Sequence, residues 1–258
     1  MNGEIEQMSN IVISARKALY EDNSIDFVPS KYVLSIKFIF APKLFSCKTI
    51  EAYSVNTWFD LCKKRGLDDI KFTIPTATNQ RHLLGFSNNS QGVILCFWNN
   101  GKASYFYPMW EVDREQNGWK IVYREQRRIN VNKEKLSFVC CKDAFVEVLS
   151  DIGKFATDIG FPFFSDLFQK AHQALLNDSS IEIADVPKQL PNEFKGVYYA
   201  VKTSDVFGAM GSWNDSPPCY AHEMGLDKEY NSLSDRLLQQ IRYHLMYVTN
   251  ECWKKTEA

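Results

Sequence analysis

Four residues between positions 205 and 222 have side chains that could act together in a reaction: Asp205, Ser212, Asp215 and His222. Serine, histidine and a carboxylate are the residue types of nucleophilic triads, which need a rigid scaffold to hold the three groups in line. Ser212 lies in Gly-Ser-Trp, which lacks the GxSxG turn that presents the serine of many hydrolases. A hydrolase or transferase built on these residues is therefore an alternative hypothesis, and no residue is predicted to be catalytic.

One short segment resembles part of a metal site, because Cys219 and His222 are followed by Glu223. A structural zinc ion needs a tetrahedral shell, and no CxxC or HxxxH pair elsewhere in the sequence completes one. The spacing of Gly208 and Gly211 also matches neither a P-loop nor the GxGxxG fingerprint. We therefore predict neither a metal ion nor a cofactor.

The same region has the composition of a loop with a defined shape. It reads Asp205-Val-Phe-Gly-Ala-Met-Gly-Ser-Trp-Asn-Asp215 and lies between segments predicted to be helical. Glycine permits turns that a Cβ forbids, and Asn and Asp commonly close turns or cap helices. We expect positive φ at both glycines, a buried tryptophan, and side-chain bonds from Asn and Asp to backbone amides. The predicted structural loop consists of Gly208, Gly211, Trp213, Asn214 and Asp215.

The elements that must position this loop follow from hydrophobic periodicity. Spacings of three and four predict helices over 5–19, 138–159, 164–175 and 226–252. Alternation predicts a strand over 31–40, and the Asn-Gly turns at 100–101 and 117–118 predict an antiparallel meander over 81–124, in which Pro108 limits one strand.

These elements predict an α+β fold. An antiparallel β-sheet over about residues 31–125 would pack with an N-terminal helix and a C-terminal helical half. The sheet-rich region 1–130 and the helical region 131–258 form either two domains or a single one.

Composition narrows the classes of partner. Thirty basic and 31 acidic residues give a net charge of −1, which removes any whole-protein attraction to nucleic acid or anionic lipid. The N-terminal segment lacks a signal-peptide pattern, and no apolar run approaches the roughly 20 residues of a membrane span. Seven cysteines, with Cys140 and Cys141 adjacent, make a poor disulfide framework. We therefore predict a cytoplasmic protein without a membrane partner.

Two stretches each suggest a binding surface, and the first is the aromatic-rich stretch 86–123. Trp110 stands beside Glu111 and Asp113, a pattern typical of an aromatic anchor with a charged rim for binding a protein. A second stretch, 114–135, mixes basic residues with Trp119 and Tyr123 and could follow a nucleic-acid strand. Acidic residues dilute its charge, and a solvated strand face explains the pattern equally well.

The C-terminal quarter carries a family resemblance, over about residues 193–253. A helix leads into Val206-Phe-Gly-Ala-Met-Gly-Ser-Trp-Asn-Asp215, and Glu229-Tyr-Asn-Ser-Leu-Ser-Asp-Arg-Leu237 follows within a long helix. This arrangement resembles small bacterial proteins of toxin–immunity loci, although Ala209 stands where the pattern has a glycine. The resemblance implies a non-enzymatic, cytoplasmic immunity protein that binds and neutralises a cognate protein toxin. It transfers no catalytic residue.

Overall fold

The fold is α+β, as predicted. A computed structural model describes residues 1–42, 49–78, 81, 84, 92–128, 136–177 and 186–254. Within those ranges the strands are β1 (Val33–Phe40), β2 (Ile50–Ala52), β3 (Leu67–Thr73), β4 (Val93–Trp98), β5 (Ala103–Asp113) and β6 (Gly118–Arg128). The helices are α1 (Gly3–Tyr20), α2 (Val55–Lys64), α3 (Asp143–Asp158), α4 (Pro162–Leu176), α5 (Asn192–Ser204), α6 (Pro217–Glu223) and α7 (Asp227–Glu251). None of the described helices is long and apolar enough to cross a membrane.

The chain forms two compact units whose segments are interleaved in sequence. The sheet unit comprises Gly3–Ile74, Asn89–Phe138 and Thr249–Ala258. The helical unit comprises Met1–Asn2, Pro75–Asn88 and Val139–Val248. The predicted regions 1–130 and 131–258 follow chain order, whereas these units do not.

The sheet has six strands in the order β2-β1-β6-β5-β4-β3. The pairs follow the predicted antiparallel pattern except that β1 runs parallel to β6. The two Asn-Gly turns lie where predicted, with Gly101 at φ 75° and Asn117 at φ 50°. Strand β6 lies inside the sheet, between β1 and β5, with Ile121 and Tyr123 buried. Its half-exposed pattern therefore reflects a one-sided strand and not an edge.

Pro108 does not limit its strand, so that prediction was wrong. Strand β5 continues to Asp113, with Pro108 opposite Tyr123 and Trp110 opposite Ile121 in register. A proline only removes one donor from a strand, and the apolar alternation beyond it still pairs with β6. The continued pairing gives a long β5–β6 hairpin.

The buried face of the sheet is built from stacked rings. Phe38 of β1 stacks on Trp58 of α2 at 4.4 Å and on Tyr123 of β6 at 4.7 Å between ring centroids. Phe106 of β5 meets Phe38 edge to face at 5.8 Å. Large rings in strands bury much apolar area, so these contacts tie α2 to the centre of the sheet.

The side chain of Asn250 bonds the outer strand β3 at one residue, in the way that a neighbouring strand would. The Phe72 backbone N–H donates to Asn250 Oδ1 at 2.7 Å, and Asn250 Nδ2 donates to the Phe72 carbonyl at 2.8 Å. Asn250 is fully buried. An edge strand carries unpaired backbone groups, and this amide satisfies both groups of one residue.

The helical unit contains most of the predicted C-terminal helices, with one boundary changed. Helix α3 begins at Asp143 and not at the predicted Phe138. Before it, the Val139 N–H donates to the Tyr243 hydroxyl at 3.3 Å, and that hydroxyl donates to the Val139 carbonyl at 2.9 Å. These backbone groups are bonded to a side chain instead of to a helical turn. The short helix α6 was not predicted.

Candidate protein-binding surface

Trp213 is fully buried, as predicted, and a closed ring of hydrogen bonds fixes it. Its indole N–H donates to Ser234 Oγ at 2.8 Å. Ser234 in turn bonds the Tyr230 hydroxyl, which donates to the Trp213 carbonyl at 2.6 Å. Burial raises the pKa of Tyr230, so its phenol stays a neutral donor. Trp213 thereby links the loop to two residues of α7, Tyr230 and Ser234.

The Trp213 ring also sits among aromatic side chains of the helical unit. It meets Phe164 at 5.2 Å and Phe168 at 5.4 Å, both edge to face. It stacks on Tyr230 at 5.6 Å. Offset and edge-to-face contacts of this kind add to the free energy of area burial. The rings of α4 and α7 thus rest on the loop.

Arg81 holds the other side of the loop. Its guanidinium donates to Asp235 Oδ1 at 2.8 Å, Asn231 Oδ1 at 2.8 Å and Asn214 Oδ1 at 3.1 Å. Asn214 Nδ2 returns a bond to the Arg81 carbonyl at 3.0 Å. The predicted bond from Asn214 to a backbone amide is therefore wrong, because both ends of its side-chain amide bond Arg81. Arginine suits this site because its planar fork offers several donors at fixed angles.

The two glycines of the loop have different roles. Gly211 has φ 80°, and its N–H donates to Asp215 Oδ2 at 2.8 Å. Gly208 is not among the positive-φ glycines, so that part of the prediction was wrong. A Cβ at Gly208 would lie 3.5 Å from Ser212 Cβ, an ordinary contact. Asp215, in contrast, accepts from a backbone amide as predicted.

The four residues of the alternative catalytic hypothesis each have other partners. Asp205 is buried and accepts from the backbone N–H groups of Phe207 and Asn2. Burial raises the pKa of its carboxyl, against the lowering effects of the Met1 amine and Arg242. Ser212 Oγ accepts from the Asn214 N–H at 3.2 Å, and His222 Nδ1 lies 3.0 Å from Asp227 Oδ1. These bonds belong to turns and helix ends.

The Cys219, His222 and Glu223 segment lies on the exposed side of α6. In the part of the chain that the structure describes, no group of three His, Cys, Asp or Glu side chains is placed to hold a metal ion. His222 is instead paired with Asp227 at the start of α7.

Two exposed rings and one half-buried ring form the surface best suited to bind another protein. We define the aromatic patch as Phe161, Phe163 and Tyr220, with Met224 one helical turn beyond Tyr220. Phe163 is 67% exposed and Tyr220 52% exposed. Phe161 meets Tyr220 edge to face at 5.0 Å, and both Phe161 and Phe163 contact Phe164. Clustered exposed rings are uncommon on soluble proteins and typically mark interaction sites.

The α3–α4 turn places these rings at the surface. Gly160, at φ 86°, ends α3, and Pro162 begins α4. Phe164 then turns inward onto Trp213, so its neighbour Phe163 faces away from that buried contact. These rings were not predicted from the sequence. Their signal was the adjacent pair Phe163-Phe164, because a helix cannot bury two consecutive side chains on one narrow face.

The predicted partner-binding residues Trp110, Glu111 and Asp113 lie near the tip of the β5–β6 hairpin. Trp110 is half-buried and meets Trp119 edge to face at 5.7 Å, while Glu111 is exposed. Asp113 Oδ1 accepts from the backbone N–H groups of Glu115 and Gln116, both at 3.0 Å. Asp113 therefore shapes the hairpin turn.

The basic stretch 114–135 is described as far as residue 128. Lys120 Nζ lies 2.6 Å from Asp113 Oδ2, and Arg127 donates to the Pro42 carbonyl. Lys120 and Arg124 are exposed, whereas Tyr123 is buried. Lys133 and Lys135 lie outside the described residues. Lys120 and Arg124 thus lie on the face opposite the buried Tyr123, and Lys120 and Arg127 already bond other groups of the chain. This arrangement is typical of a solvated strand face.

Comparison with known proteins gives no relative from which a function could be transferred. No family model matches the chain, and neither a curated protein nor a solved structure matches it.

Proposed function

We propose that this chain is a non-enzymatic, immunity-like protein that binds and neutralises a cognate protein toxin. The observation that carries the proposal is the aromatic patch, in which the exposed rings of Phe163 and Tyr220 are linked through contacts with Phe164 and Phe161. Inhibition needs only a complementary surface with a few anchors. The resemblance of residues 193–253 to immunity proteins points to the same class of partner, and the patch residue Tyr220 lies in that segment.

The patch has the energetics expected of a binding anchor. An aromatic side chain buries about 150–250 Å² when fully covered. Truncation of a central anchor of this kind costs about 2 kcal/mol or more of binding free energy. At about 1.4 kcal/mol per factor of ten, one ring is worth roughly a 30-fold change in affinity. Two exposed rings can thus account for a large part of a stable complex.

The support beneath the patch favours tight binding. Phe161 and Phe163 contact Phe164, and Phe164 rests on the hydrogen-bonded Trp213. A surface that is already ordered loses less conformational entropy on association. The fixed shape of the loop would then serve binding through rigidity, without contacting the partner.

A cytoplasmic site of action forms part of the proposal. The described cysteines are free thiols, at Cys62, Cys96, Cys140, Cys141, Cys219 and Cys252. Reduced thiols suit a compartment in which disulfides are rare.

The test is co-expression with the protein encoded by the neighbouring gene, followed by measurement of protection and of complex affinity. We expect Phe163→Ala and Tyr220→Ala each to weaken the complex about 30-fold or more and to reduce protection. Tyr53→Ala is the matched control, because Tyr53 is an equally exposed ring of the sheet unit. Trp110→Ala tests the hairpin anchor in the same assay.

Two results would contradict the proposal. Full affinity in both patch variants would show that the patch is not part of the interface. Loss of protection in Asp215→Ala, with folding and complex formation intact, would indicate a chemical reaction and favour the hydrolase or transferase alternative.

A further inference from the structure

Two buried cysteines of the sheet unit meet where helix α2 packs on strand β4. Cys62 lies in the last turn of α2 and Cys96 lies within β4, and both side chains are fully buried. Their thiols are hydrogen-bonding neighbours. Cys252, another buried cysteine of this unit, instead donates to the Thr249 carbonyl at 3.6 Å. Cys62 and Cys96 are thus a pair of thiols in direct contact.

Polar and charged side chains hold the end of α2 over the sheet. Arg65, the residue that follows α2, places Nη1 3.1 Å from Glu125 Oε2. Glu125 Oε1 accepts from Ser104 Oγ at 2.7 Å, and Ser104 stands opposite Cys96 in the register of β4 and β5. These contacts join the end of the helix to the strand position beside Cys96. They therefore keep Cys62 close to Cys96 in the folded protein.

Two thiols in contact can serve as part of a metal site or can be oxidised to a disulfide. A structural metal ion needs further ligands. Among the side chains that the structure describes, no third histidine, cysteine or carboxylate joins the pair to hold a metal ion. A disulfide needs only the two sulfur atoms, brought to about 2.05 Å from each other. The arrangement therefore favours oxidation over metal binding.

We propose that Cys62 and Cys96 are a redox pair, which hydrogen peroxide converts into a disulfide that cross-links α2 to β4. One sulfur attacks a peroxide oxygen, the O–O bond breaks, and a first water leaves as a sulfenic acid forms. The second sulfur then attacks the sulfenic sulfur, so the S–S bond forms, the S–O bond breaks and a second water leaves. The two thiols lose two electrons and two protons, and the peroxide gains them. This modification does not depend on the proposed binding of a toxin.

Burial decides which reagents reach the pair and how fast they react. Burial, followed by the contact with Cys96, raises the pKa of the Cys62 thiol, so little of the nucleophilic thiolate is present near neutral pH. The reaction is therefore slow and requires an oxidant small enough to enter the packed unit. Cys140, Cys141 and Cys219 are exposed and remain open to bulky reagents. The pair thus responds to prolonged exposure to a small oxidant.

The test uses the full chain with Cys140→Ala, Cys141→Ala and Cys219→Ala, which remove the exposed thiols. The folded protein is treated with hydrogen peroxide, free thiols are blocked with N-ethylmaleimide in denaturant, and a tryptic digest is analysed by mass spectrometry without reduction. Cys62 and Cys96 fall in separate tryptic peptides, 49–63 and 82–102. Cys252→Ala is the matched control, because Cys252 is also buried in the sheet unit.

We expect a disulfide-linked pair of these two peptides, which dithiothreitol separates, both with and without Cys252→Ala. The oxidised chain should melt about 5 °C or more above the reduced chain, because a cross-link that closes a loop of roughly 35 residues restricts the unfolded state. Cys62→Ala and Cys96→Ala should show neither the linked peptides nor this gain in melting temperature.

Four results would overturn the proposal. Cys62 and Cys96 could both remain free thiols after prolonged treatment, or they could reach sulfinic acid without a cross-link. A link that forms only in denaturant would show that contact in the folded protein does not produce it. A linked chain that melts below the reduced one would show that the disulfide does not fit the native packing of α2 on β4.

Discussion

The hydrogen bond between the Trp213 indole and Ser234 makes the role of the loop measurable. Ser234→Ala leaves the Trp213 N–H buried without an acceptor, because both residues are fully buried. It also removes the group that bonds the Tyr230 hydroxyl. An unsatisfied buried donor costs about 1–3 kcal/mol of unfolding free energy. For a unit of roughly 130 residues, each kcal/mol lowers the melting temperature by about 4 °C.

A double-mutant cycle separates this bond from simple loss of packing. Trp213→Phe removes the donor and part of the ring, and should cost less than the roughly 3–5 kcal/mol of a truncation to alanine. The Trp213→Phe/Ser234→Ala variant should be more stable than the sum of the single losses predicts, by about 0.5 kcal/mol or more. The measurement is chemical unfolding followed by circular dichroism.

The control for the cycle is Ser216→Ala, since Ser216 is exposed and makes no side-chain cap bond at α6. We expect this variant to unfold within about 0.5 kcal/mol of the wild type. If Ser234→Ala matches that control, or if the two losses simply add, the hydrogen-bonded ring does not stabilise the loop.

Three further predictions concern the helical unit. Gly211→Ala should cost about 1–2 kcal/mol of stability because of its positive φ, and Gly208→Ala should cost much less; equal losses in thermal melts would contradict this. Arg81→Met should cost about 1–3 kcal/mol by removing the hydrogen bonds to the partly exposed Asp235 and to two amides, and Arg81→Lys should recover only part of it in the same melts. Burial lowers the pKa of His244, so the unfolded chain takes up the proton first as pH falls through about 6.5. Stability should therefore fall between about pH 7 and pH 5, and His244→Gln should show a shallower fall; identical pH profiles would refute this.

Local signals predicted the parts of the fold that short-range chemistry decides. The Asn-Gly turns need positive φ, and both lie where the sequence placed them. Hydrophobic periodicity likewise predicted α1, α4 and α7. The parallel pairing of β1 with β6 could not be predicted in this way, because it joins strands about 85 residues apart and no local pattern specifies it.

The same difference between local signals and long-range contacts decides which parts of the candidate site were predictable. Burial of Trp213 was predictable, because a large ring among turn residues must find apolar surroundings. The role of Arg81 was not, since its partners lie 133 to 154 residues away. The aromatic patch was missed because Phe161, Phe163 and Tyr220 resemble core residues in sequence. The adjacent pair Phe163-Phe164 indicates that one of the two rings stays outside, but only the packing decides which one.

The amide that closes β3 also sets the order in which the protein can be completed during synthesis. Asn250 follows Phe72 by 178 residues, so the ribosome releases the whole sheet well before the residue that seals its outer strand. Until then the Phe72 backbone groups are open to pairing with a neighbouring nascent chain. In Asn250→Ala these backbone groups should stay unpaired in the finished chain as well. We expect the first observable effect to be aggregation during expression and not a change in binding.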